Sequence, residues 1–395
     1  MANSNLSGTI SRLNFSDLPQ YIKSKFRPTT EQKVILLFID GFGWNSLNKH
    51  ISQTPSLEKL VSRSQIYKNQ SLFPSSTPAH LSTIQGEDVY ETGVTEWLYF
   101  KRFVGRTICP LMFSFAGDST PNKLSCKGIK GSDIFSIKTI YQELNNKNIP
   151  SKVYLSENLI NSEFSKSMCV GSQINGYSKP ETAMTDITSD IINKTTPGYY
   201  FLYYDKLDKI SHKYGYDSIE VGLALDNLFS LVENYILKPI YASQKPIELI
   251  ICSDHGQINC PNTLDLDDYI YQIRKYFRKG SDNNPLIPGG SGRDVSLYIE
   301  QSYVEQVKNI LLKSLTNKAK VVLVSEFIKT NLINTKQVSS QYTDSLGDVL
   351  ILAEPGYQFW WKELGESKKN CVGNHGGFAA DETETPLIIY SHNPL

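Results

Sequence analysis

The chain predicts an α/β protein with a mostly parallel central sheet, helices on both faces and a small α/β insertion forming a cap. Two observations carry that expectation. Short apolar runs rich in β-branched residues end at acidic residues, as strands buried on both faces do where they emerge at a ligand-binding edge. Between two such runs the apolar residues keep helical spacing, and a strand–helix–strand series folds as a parallel pair with a right-handed crossover.

Val34 to Ile39 is an apolar run too short for a helix, and it ends at Asp40 with Gly41 and Gly43 following. Tyr199 to Tyr204 repeats the pattern and leads into Asp208, and Ile247 to Ser253 stops at Asp254-His255-Gly256. Leu225, Leu228, Val232 and Tyr235 mark the buried face of a helix between these two strands. Ser151 to Leu155 and Leu387 to Tyr390 read as further strands. From Cys260 to Cys371 the texture changes: strands over Val295–Ile299, Lys320–Val324 and Val349–Leu352 and a helix over Val304–Leu315 suggest the insertion. The expected organisation is an N-terminal extension over residues 1–30, a core over 31–259 and 372–395, and the insertion over 260–371.

Lys+Arg and Asp+Glu each number 40, so no global charge draws in a nucleic-acid polymer or a membrane surface. The first thirty residues lack the apolar segment of a secretory signal, and no apolar stretch is long enough to span a bilayer. The expectation is therefore a cytoplasmic protein without a membrane span. Cys109, Cys126, Cys169, Cys252, Cys260 and Cys371 are scattered, which suggests free thiols.

Three of the six histidines stand in metal-like contexts. Asp208 and His212 are one helical turn apart, Asp254 and His255 are adjacent at a strand end, and His375 is followed by Gly376 and Gly377. With Asp40 they make a mixed oxygen and nitrogen ligand set that suits zinc, with manganese or iron as alternatives. Taken singly, each has a plainer use as a cap, a surface pair or a structural histidine. Phe73-Pro74-Ser75-Ser76-Thr77-Pro78-Ala79-His80 supplies hydroxyls ahead of a helix, where free N–H groups favour a phosphate, although capping is the commoner role of such residues. Trp97, Tyr99 and Phe100 are candidates for stacking on a base or for ordinary packing. The glycine-rich Pro288 to Arg293 stretch lacks P-loop spacing and reads as a mobile loop, with Arg293 as a possible phosphate contact.

The segments VILLFIDGFG, FPSSTPAHLSTI, LDKISHKYG, SDHG and NHGGF, in that order, resemble the alkaline phosphatase superfamily, most closely its type I phosphodiesterase/nucleotide pyrophosphatase branch. The resemblance runs from Lys33 to Tyr390. It implies an alkaline-phosphatase-like fold and two zinc ions, one held by Asp208, His212 and His375 and the other by Asp40, Asp254 and His255. Thr77 would bridge them as nucleophile and form a phospho-threonine intermediate. Counting back from His80 favours Ser76 instead. The position of a phosphoryl-binding Asn is taken by Trp97, and His80 stands where sulfatases carry an Arg, which argues against a sulfatase. The implied substrate is a small nucleotide-like phosphodiester or pyrophosphate. A phosphomonoesterase or phosphonoacetate-hydrolase-like enzyme, or a binding protein without catalysis, are the other readings.

Overall fold

A computed structural model describes residues 14–26, 31–135, 137–332, 338–365 and 369–393. Seven strands form the central sheet: β1 (Lys33–Ile39), β2 (Gln65–Gln70), β3 (Ser151–Ser156), β4 (Gln173–Tyr177), β5 (Gly198–Tyr204), β6 (Ile247–Cys252) and β7 (Glu384–His392). Their order is β2-β7-β6-β1-β5-β3-β4. β1 pairs in parallel with β5 and β6, and β3 with β4 and β5, while β7 runs antiparallel to β6 and β2. The sheet is thus mostly parallel, as expected, with one reversed strand.

Alternation along β1 feeds two cores. Val34, Leu36 and Phe38 enter one, and Ile35, Leu37 and Ile39 the other. This is why every position of the run is apolar: a central strand with helices on both faces has no side facing water. The register sets Phe38 opposite both Tyr203 and Cys252, so β1, β5 and β6 finish level. The residues that follow them, Asp40, Asp208 and Asp254, therefore leave the sheet at one edge.

The helix expected between β5 and β6 exists as α-helix Ile219–Val232, with Leu225, Leu228 and Val232 buried. Tyr235 is exposed and Ile236 is buried instead, one helical turn on from Val232, and the helix continues there as a π turn over Glu233–Leu237.

The segment after Cys260 builds a four-stranded sheet in the order Gly289–Gly290, Asp294–Leu297, Val349–Ala353, Ala319–Leu323, all antiparallel. Helix Val304–Ser314 contributes Val307 and Leu311 to a third apolar core. That core also takes in Leu98, Cys109 and Ala116 from a meander of three short strands, Tyr99–Lys101, Arg106–Cys109 and Ser114–Phe115. Cys126, Cys169, Cys252 and Cys260 are free thiols. Among the described residues no helix is long and apolar enough to cross a membrane.

Candidate active site

At the level edge of the sheet, Asp40 follows β1 and its N–H donates to the Tyr204 carbonyl at 3.0 Å. The next residue, Gly41, has φ +76°, and a Cβ there would lie 3.0 Å from the Asp208 Cα. Glycine is what lets the helix Lys206–Tyr214 start against the end of β1. That helix carries Asp208 in its first turn and His212 in its last, so the two face the same way and Asp208 Oδ1 lies 3.4 Å from His212 Nε2.

Asp254 and His255, both fully buried, follow β6. His375 follows the short strand Gly373–Asn374, which pairs with Ile258–Asn259. Gly376 has φ +117° and a Cβ there would lie 2.4 Å from Ser291 Oγ. The turn that delivers His375 therefore needs glycine.

These residues converge. Ligand atoms of Asp208, His212 and His375 all lie within 4.8 Å of one another, and so do those of Asp40, Asp208 and His255. His255 Nε2 is 3.5 Å from Asp40 Oδ1 and 3.4 Å from Asp254 Oδ2. The rings of His255 and His375 are stacked at 3.4 Å. Asp208 lies between the two groups, a position that motif spacing does not reveal.

Each histidine is oriented through its other nitrogen. His212 Nδ1 meets the Gly373 carbonyl at 2.8 Å, His375 Nδ1 the Ser75 carbonyl at 2.8 Å, and His255 Nδ1 the Gly256 carbonyl at 3.0 Å. A carbonyl only accepts, so Nδ1 carries the hydrogen and the Nε2 lone pair faces the cluster. Asp254 Oδ1 accepts from the N–H groups of Gly41 and His255 at 3.0 and 2.9 Å, while its Oδ2 is buried with no hydrogen-bond partner. Burial, with repulsion from Asp254 and Asp208, pushes the Asp40 carboxyl well above the usual carboxylate range. Burial also opposes the Asp254 carboxylate, but His255, His80 and the Gly41 N–H hold its pKa below the usual value. Three carboxylates converging on three imidazole lone pairs, with an orphaned buried oxygen among them, fit divalent cations and are poorly balanced without them.

Thr77 opens the helix Thr77–Gln85. Its Oγ1 is 3.4 Å from both Asp40 carboxylate oxygens and 3.4 Å from His255 Nε2. The Ser76 hydroxyl turns away and donates to the Thr95 carbonyl at 2.6 Å. Ser75 accepts from Gly376 N–H at 3.1 Å, so it ties the Thr77 loop to the His375 turn. His80 is fully buried beneath this loop: Nε2 accepts from the Leu72 N–H at 2.9 Å and Nδ1 meets the Ser76 carbonyl at 2.7 Å. It is a neutral clamp, and burial lowers its pKa to about 4.

Two expectations, on Arg293 and on the glycine-rich stretch around it, are corrected. Arg293 does not reach out to a phosphate. It is fully buried, Nε and Nη2 donate to Glu382 at 2.9 and 2.8 Å, and Nη1 donates to the Glu354 and Tyr357 carbonyls. The glycine-rich stretch around it is a strand and a buried turn rather than a mobile loop, because its backbone pairs with Val295 and Ser296. Tyr99 is buried in the core, and Phe100 packs on the Tyr298 ring at 5.5 Å. Trp97 is half-buried against the third core. The sequence reading missed Tyr203, whose hydroxyl donates to Asp40 Oδ2, and Gln257, whose Nε2 donates to Asp208 Oδ1 at 2.5 Å.

Residues 34–378 match the model of the type I phosphodiesterase / nucleotide pyrophosphatase family. No curated protein sequence matches the chain. Among solved structures, murine ectonucleotide pyrophosphatase / phosphodiesterase 5 superposes with TM-score 0.67 at 17% identity, covering 91% of this chain and 88% of that one. An inactive threonine-to-alanine form of the murine protein in complex with AMP gives 0.66 at 17% identity, with 92% and 88% covered. The human protein gives 0.65 at 17% identity, again with 92% and 88% covered. At this identity the likeness is one of fold.

Proposed function

The chain belongs to the type I phosphodiesterase / nucleotide pyrophosphatase family, a family of metal-dependent hydrolases, and from that premise we propose that it cleaves phosphodiester or pyrophosphate bonds in nucleotide-like substrates with two zinc ions and Thr77 as nucleophile. One observation carries the reading: the Thr77 hydroxyl stands 3.4 Å from Asp40 and His255, at the edge of a cluster completed by Asp208, His212, Asp254 and His375.

Asp208, His212 and His375 would hold one cation, and Asp40, Asp254 and His255 the other. Bound there, the cations supply the positive charge that makes a hydroxyl nucleophilic near neutral pH and that stabilises a departing oxygen. The protein does the positioning. The clamp of His80 on Leu72 and Ser76 and the Ser75 link to Gly376 hold Thr77 against the cluster. Thr77 Oγ1 then attacks phosphorus in line, the bond to the leaving oxygen breaks, and water releases the phospho-threonine in a second displacement. The inactive threonine-to-alanine form of the murine relative supports a threonine in this role. The Ser76 hydroxyl, engaged with the Thr95 carbonyl, is turned from such an attack. AMP in the murine structure supports a nucleotide-like ligand.

Arg293, the cation that could have matched the second charge of a monoester, is engaged by Glu382, which favours a diester over the phosphomonoesterase reading. The test is a panel of bis-p-nitrophenyl phosphate, p-nitrophenyl phosphate, a p-nitrophenyl nucleotide ester and a phosphonate, each with and without chelator. Hydrolysis of the nucleotide ester and the diester, lost with chelator, is expected. Preference for the monoester or the phosphonate would replace the diester reading, and chelator-resistant activity would remove the metals from it.

A further inference from the structure

Every ligand atom in the cluster must face inward for the cluster to work, and a carboxylate has two oxygens to choose from. The histidines solve their version of this problem with backbone carbonyls on Nδ1. Two of the carboxylates, Asp40 and Asp208, meet neutral side-chain donors instead. Tyr203, on β5 opposite Phe38, sends its hydroxyl to Asp40 Oδ2. The tyrosine is itself fixed: it is 6% exposed, its ring packs 5.8 Å from that of Phe38, and its carbonyl accepts from the Tyr177 hydroxyl at 2.6 Å. With Oδ2 occupied, Asp40 Oδ1 is the oxygen left facing His255 Nε2, at 3.5 Å. Gln257 is 1% exposed, and its Nε2 donates to Asp208 Oδ1 at 2.5 Å and to the Asp208 carbonyl at 3.3 Å. The same Oδ1 lies 3.4 Å from His212 Nε2 and 3.9 Å from His375 Nε2, so one lone pair is held by the amide and the other is directed at the histidine pair.

We propose that Tyr203 and Gln257 are positioning residues, each of which sets the carboxylate oxygen presented to one of two metal ions: Tyr203 to the ion on Asp40 and His255, Gln257 to the ion on Asp208, His212 and His375. The inference rests on the two-metal reading above. Neither residue touches the reacting atoms. Both donors are uncharged, so they orient a carboxylate without competing with a cation for its charge. Outer partners of this kind are worth about 10–100-fold in metal affinity.

The experiment measures Zn2+ binding to metal-free protein by competition with a chromophoric chelator, without reference to turnover. His212→Ala and His255→Ala in the otherwise unchanged protein identify which of the two sites each dissociation constant belongs to. Tyr203→Phe is expected to weaken the His255 site by about 10–100-fold and the His212 site by no more than about threefold. Gln257→Leu is expected to weaken the His212 site by a similar factor. A folded Tyr203→Phe protein that binds both ions as the unmodified chain does, or that loses both equally, overturns the proposal and leaves the two-metal reading standing. Should Tyr203→Phe show no cooperative unfolding, Gln257→Leu decides, and an unchanged His212 site overturns the proposal. An unmodified protein that binds fewer than two ions overturns the two-metal reading and this inference with it.

Discussion

The Arg293–Glu382 pair offers the sharpest test of how the small antiparallel sheet is fastened to the cluster of acids and histidines. Arg293 lies in the turn before strand Asp294–Leu297 of the small sheet, and Glu382 lies between the His375 turn and β7. Their side chains are 1% and 0% exposed. Glu382 accepts two bonds from the guanidinium, at 2.9 and 2.8 Å, and two from the backbone N–H groups of Gly377 and Ala379, at 2.9 and 3.3 Å. Arg293→Met removes both charged donors and leaves a buried carboxylate with two amides. It also strips the donor from the Glu354 and Tyr357 carbonyls. Breaking a buried pair from one side costs about 3–5 kcal/mol, most of it the stranded charge. Arg293→Met/Glu382→Gln removes that charge while keeping an acceptor for Gly377, so the double variant is expected to be more stable than the single one by about 2 kcal/mol. Urea unfolding followed by tryptophan fluorescence measures both. The Gly377 amide sits two residues from His375, so Arg293→Met should also lower turnover. A loss below about 1 kcal/mol for the single variant, or a double variant less stable than it, refutes a stranded charge as the cause.

Four further outcomes are expected. Exhaustive chelation abolishes hydrolysis and added Zn2+ restores it, as measured on a p-nitrophenyl nucleotide ester; full activity at metal contents below one ion per chain by elemental analysis would contradict this. Thr77→Ala lowers turnover by at least ~10³-fold, whereas Ser76→Ala loses only its bond to the Thr95 carbonyl, about 1 kcal/mol of stability, and keeps most of its activity; the reverse ranking would move the nucleophile to Ser76. Stability falls on acidification through His80: its pKa is about 4 when folded and about 6.5 when unfolded, so its contribution is complete above the unfolded value and is lost as pH falls toward 4. That contribution amounts to about 3 kcal/mol, and His80→Gln should flatten the difference in urea stability between neutral and acid pH. Ile236→Ala costs about 2–4 kcal/mol as a buried apolar truncation while Tyr235→Ala costs under about 1 kcal/mol, an order that a Tyr235 packed on the buried face would reverse.

The central strands were legible in the sequence because burial on both faces leaves little room for polar residues: β1, β5 and β6 are buried at every position, and their only charged residues are Lys33 and Glu248, at the strand starts. The strands missed have water on one side or both. β2 is Gln-Ile-Tyr-Lys-Asn-Gln with one buried residue, and β4 is Gln-Ile-Asn-Gly-Tyr with one; what makes them strands is pairing to β7 and β3, which no local pattern records. The π turn over Glu233–Leu237 escaped for a related reason, since it is a property of backbone hydrogen bonding with no residue type of its own.

The site divides along the same line. Metal ligands come from a short list of residue types, and histidine is rare here, six in the chain, so His255 beside Asp254, His212 one helical turn from Asp208 and His375 before two glycines stand out. A hydrogen-bond donor that aims a ligand can be nearly any polar residue. Tyr203 sits in Gly-Tyr-Tyr-Phe-Leu-Tyr-Tyr, where four tyrosines look alike. Tyr199 buries its hydroxyl without a partner and Tyr200 gives its own to Asp190, and only the sheet register, which sets Tyr203 beside Phe38 near the end of β1, brings one of the four to Asp40. Arg293 shows the converse error. Beside glycines in sequence it suggested an anion contact, but its partner, Glu382, is 89 residues away, and a charge whose counter-charge lies that far along the chain reads as free until the fold closes the distance.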